Sequence, residues 1–172
     1  GLQIDYELLD FDLLPEGPAR LAAVLDQAEQ RGFTGLNVTY PSKQAVIPLL
    51  HELSPEARAL HSVNTVLFRG GRRIGHNTDW WGFAESFRRE MADVNPRRVL
   101  LVGAGGAGAA VGYAMLKSGT QELSVHDMDR SRAVALAQRM SGLFEDRKVS
   151  VCDDVRAALA SADGLVHATP TG

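Results

Sequence analysis

The stretch Arg98-Val99-Leu100-Leu101-Val102-Gly103-Ala104-Gly105-Gly106-Ala107-Gly108 decides the fold of this 172-residue chain. A short apolar run, Val99 to Val102, leads into six glycine and alanine residues. An alanine-rich helical pattern through Ala109, Ala110, Val111, Tyr113, Ala114 and Leu116 follows at once. The order is strand, tight turn, helix. In the dinucleotide-binding version of this unit Gly103 permits the sharp turn, Gly105 lets the backbone approach a pyrophosphate, and Gly108 lets the helix pack close to the strand. The ligand's negative charge then rests on unpaired N–H groups at the helix N-terminus, which draws Ala104, Gly106 and Ala107 into the same candidate cofactor site. Glycine clusters also make ordinary loops, so the neighbours decide. Glu122 to His126 reads as a second strand ending at Asp127, about 20 residues beyond Gly103, where the fingerprint needs an acid for a ribose 2′-hydroxyl.

Working outward, residues 95–172 read as strand 98–102, helix 106–118, strand 121–126, helix 130–141, strand 147–152, helix 154–160 and strand 164–168. Such alternation implies a parallel sheet wrapped by helices. Upstream, Ile4, Tyr6 and Leu8 alternate with Asp5 and Glu7, the period of a half-buried strand over 4–11. A helix opens at Gly17-Pro18, with Leu21, Val24, Leu25 and Ala28 on one face, and ends at Gly32. Gly35 to Tyr40 reads as the next strand, so the chain is expected to begin with a β-α-β unit of parallel strands. Ser42–Leu50 and Ser54–Leu60 read as two short serine-capped helices. Ser62–Phe68 and Arg72–Gly75 read as strands joined at Gly70-Gly71, and a helix over about 80–91 leads to the linker Asp93–Pro96. The expected architecture is α/β: an N-terminal α/β domain, 1–94, followed by a Rossmann-like parallel-sheet dinucleotide-binding domain for NAD(P), 95–172.

Composition narrows the partner. With 45% hydrophobic residues there is enough apolar material for a core, and a net charge of −3 with interspersed signs offers no basic face for nucleic acid. No apolar run approaches the roughly 18 residues of a membrane span. A small-molecule substrate is therefore expected, with neither nucleic acid nor membrane; oligomeric state is not readable. Cys152 is the single cysteine, which fits a reducing, cytoplasmic compartment. His51, His61, His76, His126 and His167 lack metal-ligand spacing, so no metal site is expected. The absence of an initiator Met and the Thr169-Pro170-Thr171-Gly172 end suggest a fragment of a longer protein.

Two polar clusters sit at ends of predicted strands, where α/β folds place ligands: Asn37 to Lys43 and Asn77-Thr78-Asp79, with Asn64-Thr65 between them. Lysine moves a proton only when its pKa approaches working pH, which partial burial favours and a nearby carboxylate opposes. A Lys43–Asp79 pair is chemically reasonable. Equally, Lys43 fits a solvated first-turn lysine and Asp79 a helix cap.

Four motifs in order, Asn37-Val38-Thr39-Tyr40-Pro41-Ser42-Lys43, Ser62-Val63-Asn64-Thr65-Val66, Gly75-His76-Asn77-Thr78-Asp79-Trp80-Trp81-Gly82 and Val102 to Gly108, resemble the shikimate dehydrogenase family, including its quinate/shikimate members. The resemblance implies an oxidoreductase of aromatic amino acid biosynthesis or quinate metabolism that moves a hydride between a carbinol carbon and a nicotinamide. It also assigns roles, and implies that 1–94 is the substrate-binding domain. Lys43 is the acid/base on the reacting hydroxyl and Asp79 its partner and substrate ligand. Asn64 and Thr39 are substrate hydroxyl ligands, and Thr169 lies in the loop beside the nicotinamide. Members that use NADP commonly carry Asn-Arg-Thr where this chain has Asp127-Met128-Asp129. A carboxylate there repels a 2′-phosphate and accepts a bond from a free hydroxyl, so NAD is favoured. The opposing reading gives the phosphate, and hence NADP, to Arg130 or Arg132, with Asp127 and Asp129 weakening it. A catalytically silent nucleotide-binding relative is the remaining alternative. The family's first strand and its C-terminal substrate contacts lie outside these residues, so the resemblance does not separate shikimate from quinate.

Overall fold

The computed structural model describes residues 4–13 and 17–169. Helix α1 (Leu21–Gln30) follows a 3-10 turn over Gly17–Arg20 and buries the expected stripe of Leu21, Leu25 and Ala28, with Val24 half-buried beside it. Strands β1 (Gly35–Asn37), β2 (Glu52–Leu53), β3 (Thr65–Arg69) and β4 (Arg72–His76) form one sheet in the order β1-β3-β4-β2. The β3–β4 hairpin turns at Gly70 and Gly71, both at positive φ, +58° and +71°, as a two-residue turn matched to strand twist requires. Helix α2 (Pro55–Leu60) is capped by Ser54, whose Oγ accepts from the Ala57 N–H at 3.1 Å. Helix α3 (Asp79–Glu90) follows β4 directly.

Strands β5 (Arg98–Val102), β6 (Glu122–His126), β7 (Lys148–Val151) and β8 (Gly164–His167) form a second, wholly parallel sheet in the order β7-β6-β5-β8. Helices α4 (Gly106–Lys117), α5 (Arg130–Leu143) and α6 (Val155–Ser161) make the crossovers. The chain steps outward from β5 through β6 to β7 and then returns past β5 to β8. The C-terminal end of β5 is thus the topological switch point, the place where open α/β sheets leave a crevice. Val99, Leu100 and Leu101 are buried, as a strand covered on both faces must be.

Two expectations fail. Residues 4–10 form no strand, and Ile4, Tyr6 and Leu8 are exposed; without a neighbouring strand to complete its ladder, the alternating pattern has nothing to bury against. The opening is consequently not a parallel β-α-β unit: β1 is an edge strand, antiparallel to β3. Likewise Ser42–Leu50 is not an α-helix but a run of turns ending in a 3-10 turn over Ile47–Leu49. Pro48 lacks the N–H that would bond back to Gln44, so the tighter bonds Leu49 N–H to Val46 O and Leu50 N–H to Ile47 O take over.

Two apolar clusters hold the molecule. One, with Leu25, Val46, Ala57, Val63 and Val66, lies against the first sheet. The other, with Val99, Leu101, Ala110, Leu116, Leu123, Val125 and Met140, lies against the second and also takes in Leu60 from α2. Trp80, Phe83 and Phe87 of α3 pack on it, Trp80 meeting Tyr113 edge to face at 5.4 Å. Two helices that follow strands of the first sheet therefore reach the second: α2 through Leu60, while its Ala57 stays in the first cluster, and α3 through its partly buried aromatic residues. No helix among the described residues is long and apolar enough to cross a membrane.

Candidate functional site

The segment after β1 is laid against the start of β3 by backbone bonds: Val38 N–H donates to Asn64 O at 2.7 Å and Val63 N–H to Lys43 O at 2.9 Å. Asn64 N–H in turn donates to His76 O at 3.0 Å, bringing the end of β4 to the same place. Three stretches distant in sequence so converge on one edge. There Lys43 Nζ lies 2.7 Å from Asp79 Oδ2, and Asn64 Nδ2 donates to Asp79 Oδ1 at 2.8 Å and to Thr78 Oγ1 at 2.9 Å. Asn64 Oδ1 accepts from Thr78 N–H and from Thr65 Oγ1, each at 3.0 Å, so its amide is fixed from both ends. Lys43 and Asp79 keep 21% and 34% of their side-chain exposure: drawn into the fold, yet open to a ligand.

Asn77, which the sequence marks only as part of a turn cluster, is buried beneath this site. Its Nδ2 donates to Ser62 O at 3.0 Å and its Oδ1 accepts the Asp79 N–H at 3.1 Å, which fixes the first residue of α3. Thr39 is different. It is exposed at the start of the turn, where its carbonyl accepts from Ser42 N–H at 2.9 Å, and its hydroxyl is not part of the network. Ser42, expected as a helix cap, and Ser62 differ from expectation: the Oγ of each is buried without a hydrogen-bond partner. Nothing in their local pattern distinguishes them from exposed serines.

The glycine turn meets this cluster. Gly103 sits at φ +105°, and a Cβ there would approach Ala168 O to 2.7 Å; a Cβ on Gly108 would run into Gly103 O. These two positions require glycine. Open space faces Gly105, and a Cβ on Gly106 would stand 3.2 Å from Ser62 Oγ and 3.7 Å from Lys43 Cδ. The start of α4, whose first N–H groups lack helical partners, therefore lies beside the lysine. Asp127 closes the far side: its Oδ2 accepts the Ala104 N–H at 2.7 Å and its Oδ1 the Asp129 N–H at 2.9 Å. A cavity of about 390 Å3 next to it is lined by His126, Asp127, Met128, Arg130, Val151 and Cys152 among others. Burial pushes the Cys152 thiol up from its ordinary value, with Asp154 and Asp153 adding to the effect, so the thiol stays protonated at neutral pH. Thr169 Oγ1 lies 2.8 Å from His167 Nε2, across the turn from Gly103. Among the described residues no group of His, Cys, Asp and Glu could hold a metal ion.

A parallel sheet with a glycine turn at its switch point, joined to a smaller mixed sheet that offers a polar cluster, defines an α/β protein of the Rossmann-like class. Comparison with known proteins narrows this. The family description "Shikimate dehydrogenase substrate binding domain" matches residues 1–66 and "Shikimate / quinate 5-dehydrogenase" matches residues 85–171. The chain belongs to the shikimate/quinate dehydrogenase family. A shikimate dehydrogenase (NADP(+)) of Streptomyces avermitilis is 47% identical over 100% of this chain and 60% of its own length. A quinate/shikimate dehydrogenase (NAD(+)) of Corynebacterium efficiens is 45% identical over 88% of this chain and 55% of its own. The structure of quinate dehydrogenase from Corynebacterium glutamicum in complex with NAD superposes with a TM-score of 0.80 at 43% identity, covering 87% of this chain and 54% of that one. The chain thus spans little more than half the length of these relatives.

Proposed function

We propose that the protein is an NAD-preferring oxidoreductase that interconverts shikimate or quinate and its 3-dehydro form, with Lys43 as acid/base and Asp79 as its partner. The observation that carries this reading is the Lys43–Asp79–Asn64 network beside the start of α4, with Lys43 Cδ and Gly106 in near contact. A proton-handling pair next to a pyrophosphate turn is what alcohol oxidation by hydride transfer needs.

The residues fit a dinucleotide. The space before Gly105 and the first turn of α4 suit the pyrophosphate, Asp127 a ribose hydroxyl, and the cavity between Asp127 and Cys152 an adenine. Bound NAD supplies the hydride acceptor. Asp79 and Asn64 hold the substrate hydroxyl, and Lys43 Nζ, as the neutral amine, takes the proton from its oxygen as the hydride departs. In the reverse direction Lys43 returns that proton. Thr39 and Thr169, at the rims of the two halves, are assigned to substrate and nicotinamide contact respectively. The chain divides at 94/95 into substrate and nucleotide domains, and the reaction belongs to the soluble contents of the cell.

Cofactor preference rests on Asp127 and on the fully exposed Met128, which stands where NADP-using members of the family commonly carry an arginine. The NADP reading has its own support in the Streptomyces relative's name. Initial rates with shikimate and quinate, each with NAD and NADP, decide between them, and the better substrate names the activity. Lys43→Ala is expected to lower kcat by about 10²–10⁴-fold, the usual scale of a lost acid/base, while NAD still binds. Undiminished turnover in that variant removes the mechanism, and no rate with any pairing favours the silent relative.

A further inference from the structure

We propose that Asp153 is a positioning residue that sets cofactor choice by holding Arg130 away from the place where a 2′-phosphate would sit. The inference rests on the nucleotide-binding reading above and deepens it. Arg130 is the first residue of α5, one turn from Asp127, and with Asp153 it lines the cavity assigned to the adenosine. It is the cation of that lining. Its position after β6 would let it serve an NADP enzyme, because a guanidinium is matched to two phosphate oxygens.

Here that fork is already engaged. Arg130 Nε donates to Asp153 Oδ1 at 2.9 Å and its Nη2 to Oδ2 at 3.2 Å, a two-point pairing across the mouth of the cavity. The Arg130 guanidinium beside Asp153 holds that carboxyl below its ordinary range, and His126 adds a smaller contribution. Asp153 itself is anchored just past β7, where Cys152 N–H donates to Val125 O at 2.8 Å and His126 Nδ1 meets Cys152 O at 3.0 Å. Arg132, the other cation nearby, lies 3.5 Å from Asp129 and does not line the cavity. A 2′-phosphate at this site would have to take Arg130 from Asp153 and tolerate Asp127; a free hydroxyl would do neither.

The test is equilibrium binding of 5′-ADP and 2′,5′-ADP, with NAD and NADP as second probes, to the wild type and four variants. Asp153→Asn is expected to tighten 2′,5′-ADP about three- to tenfold, the scale of one exposed ion pair and one nearby charge, while 5′-ADP affinity holds. Asp153→Glu keeps the wild-type ratio, since the tether survives. Arg130→Gln alone gains nothing, and Asp153→Asn with Arg130→Gln loses the gain, since the freed arginine was its source. A gain that persists in the double variant, or a ratio that Asp153→Asn leaves unmoved although 5′-ADP binds, overturns the inference and leaves the nucleotide reading intact. Failure of the wild type to bind any of the four probes overturns both.

Discussion

At the scale of the residue, the site depends on groups that never touch a ligand. Asn77 is the clearest case: its buried amide satisfies a carbonyl on one side and the Asp79 N–H on the other. Replacing it by alanine strands both backbone groups, a loss of about 1–3 kcal/mol on the usual scale for unsatisfied buried polar groups. Asn77→Ala is therefore expected to lower the denaturant midpoint, and to lower kcat as Asp79 loses its fixed start of helix. A variant as stable as the wild type would show that water replaces the amide. The pairing of Lys43 with Asp79 is reasonable from residue types but has no geometry in the sequence, because it spans 36 residues and depends on the register of the β3–β4 hairpin. The orphaned Ser42 and Ser62 hydroxyls were beyond any local pattern, since burial is a property of the assembled fold.

At the scale of the element, legibility followed the source of each element's stability. The second sheet is readable almost to the residue, because β5 writes a continuous apolar run buried on both faces and the strands alternate with helices along the chain; β6 and β8 alternate in burial. The first sheet is not. A strand pattern at 4–11 means nothing without a partner, and Pro48 undoes the serine-capped helix expected over 42–50. Where capping chemistry was read, it can be tested: Ser54→Ala removes the bond to the Ala57 N–H and should cost about 0.5–2 kcal/mol in thermal or denaturant unfolding. The start of β5 carries a pH signature. Asp163 accepts from the Arg98 backbone N–H at 2.9 Å and from its guanidinium at 3.0 Å, and this pairing holds its carboxyl below the ordinary value. A carboxyl lowered on folding contributes stability that is full above its unfolded pKa and is lost as pH falls through the folded one. Wild type and Asp163→Asn should accordingly differ most near neutrality and converge in acid, as urea midpoints taken across that range will show. The group is exposed, so the difference is small; a constant gap down to the lowest pH would mean that the charge is not its origin.

At the scale of the whole molecule, the question is what aligns the two sheets, since the proposed chemistry lies where they meet. Arg139 of α5 reaches across to donate to Leu60 O at the end of α2 at 2.9 Å, and α3 lies along α4 through Trp80 and Tyr113. These contacts hold the halves together, and the glycine turn itself faces the acid/base at Gly106, set against Ser62 Oγ and Lys43 Cδ. That position separates stability from function. Gly106 opens α4 with no positive φ, so alanine there should stabilise the helix by about 0.4–1 kcal/mol through the unfolded chain. The added Cβ, however, stands 3.2 Å from Ser62 Oγ, so one side must yield by a few tenths of an ångström. If the serine turned aside, kcat would be spared; but its hydroxyl is buried on every side, and the easier movement is of the turn away from the lysine. Misalignment of that size is costly where hydride and proton must leave together. Gly106→Ala is therefore expected to raise the unfolding midpoint while lowering kcat, with Lys43→Ala adding little further loss in the double variant. A more stable protein with undiminished turnover would mean that the contact between Gly106 and Lys43 does not set the alignment, and that Arg139 and the α3–α4 packing fix it by themselves.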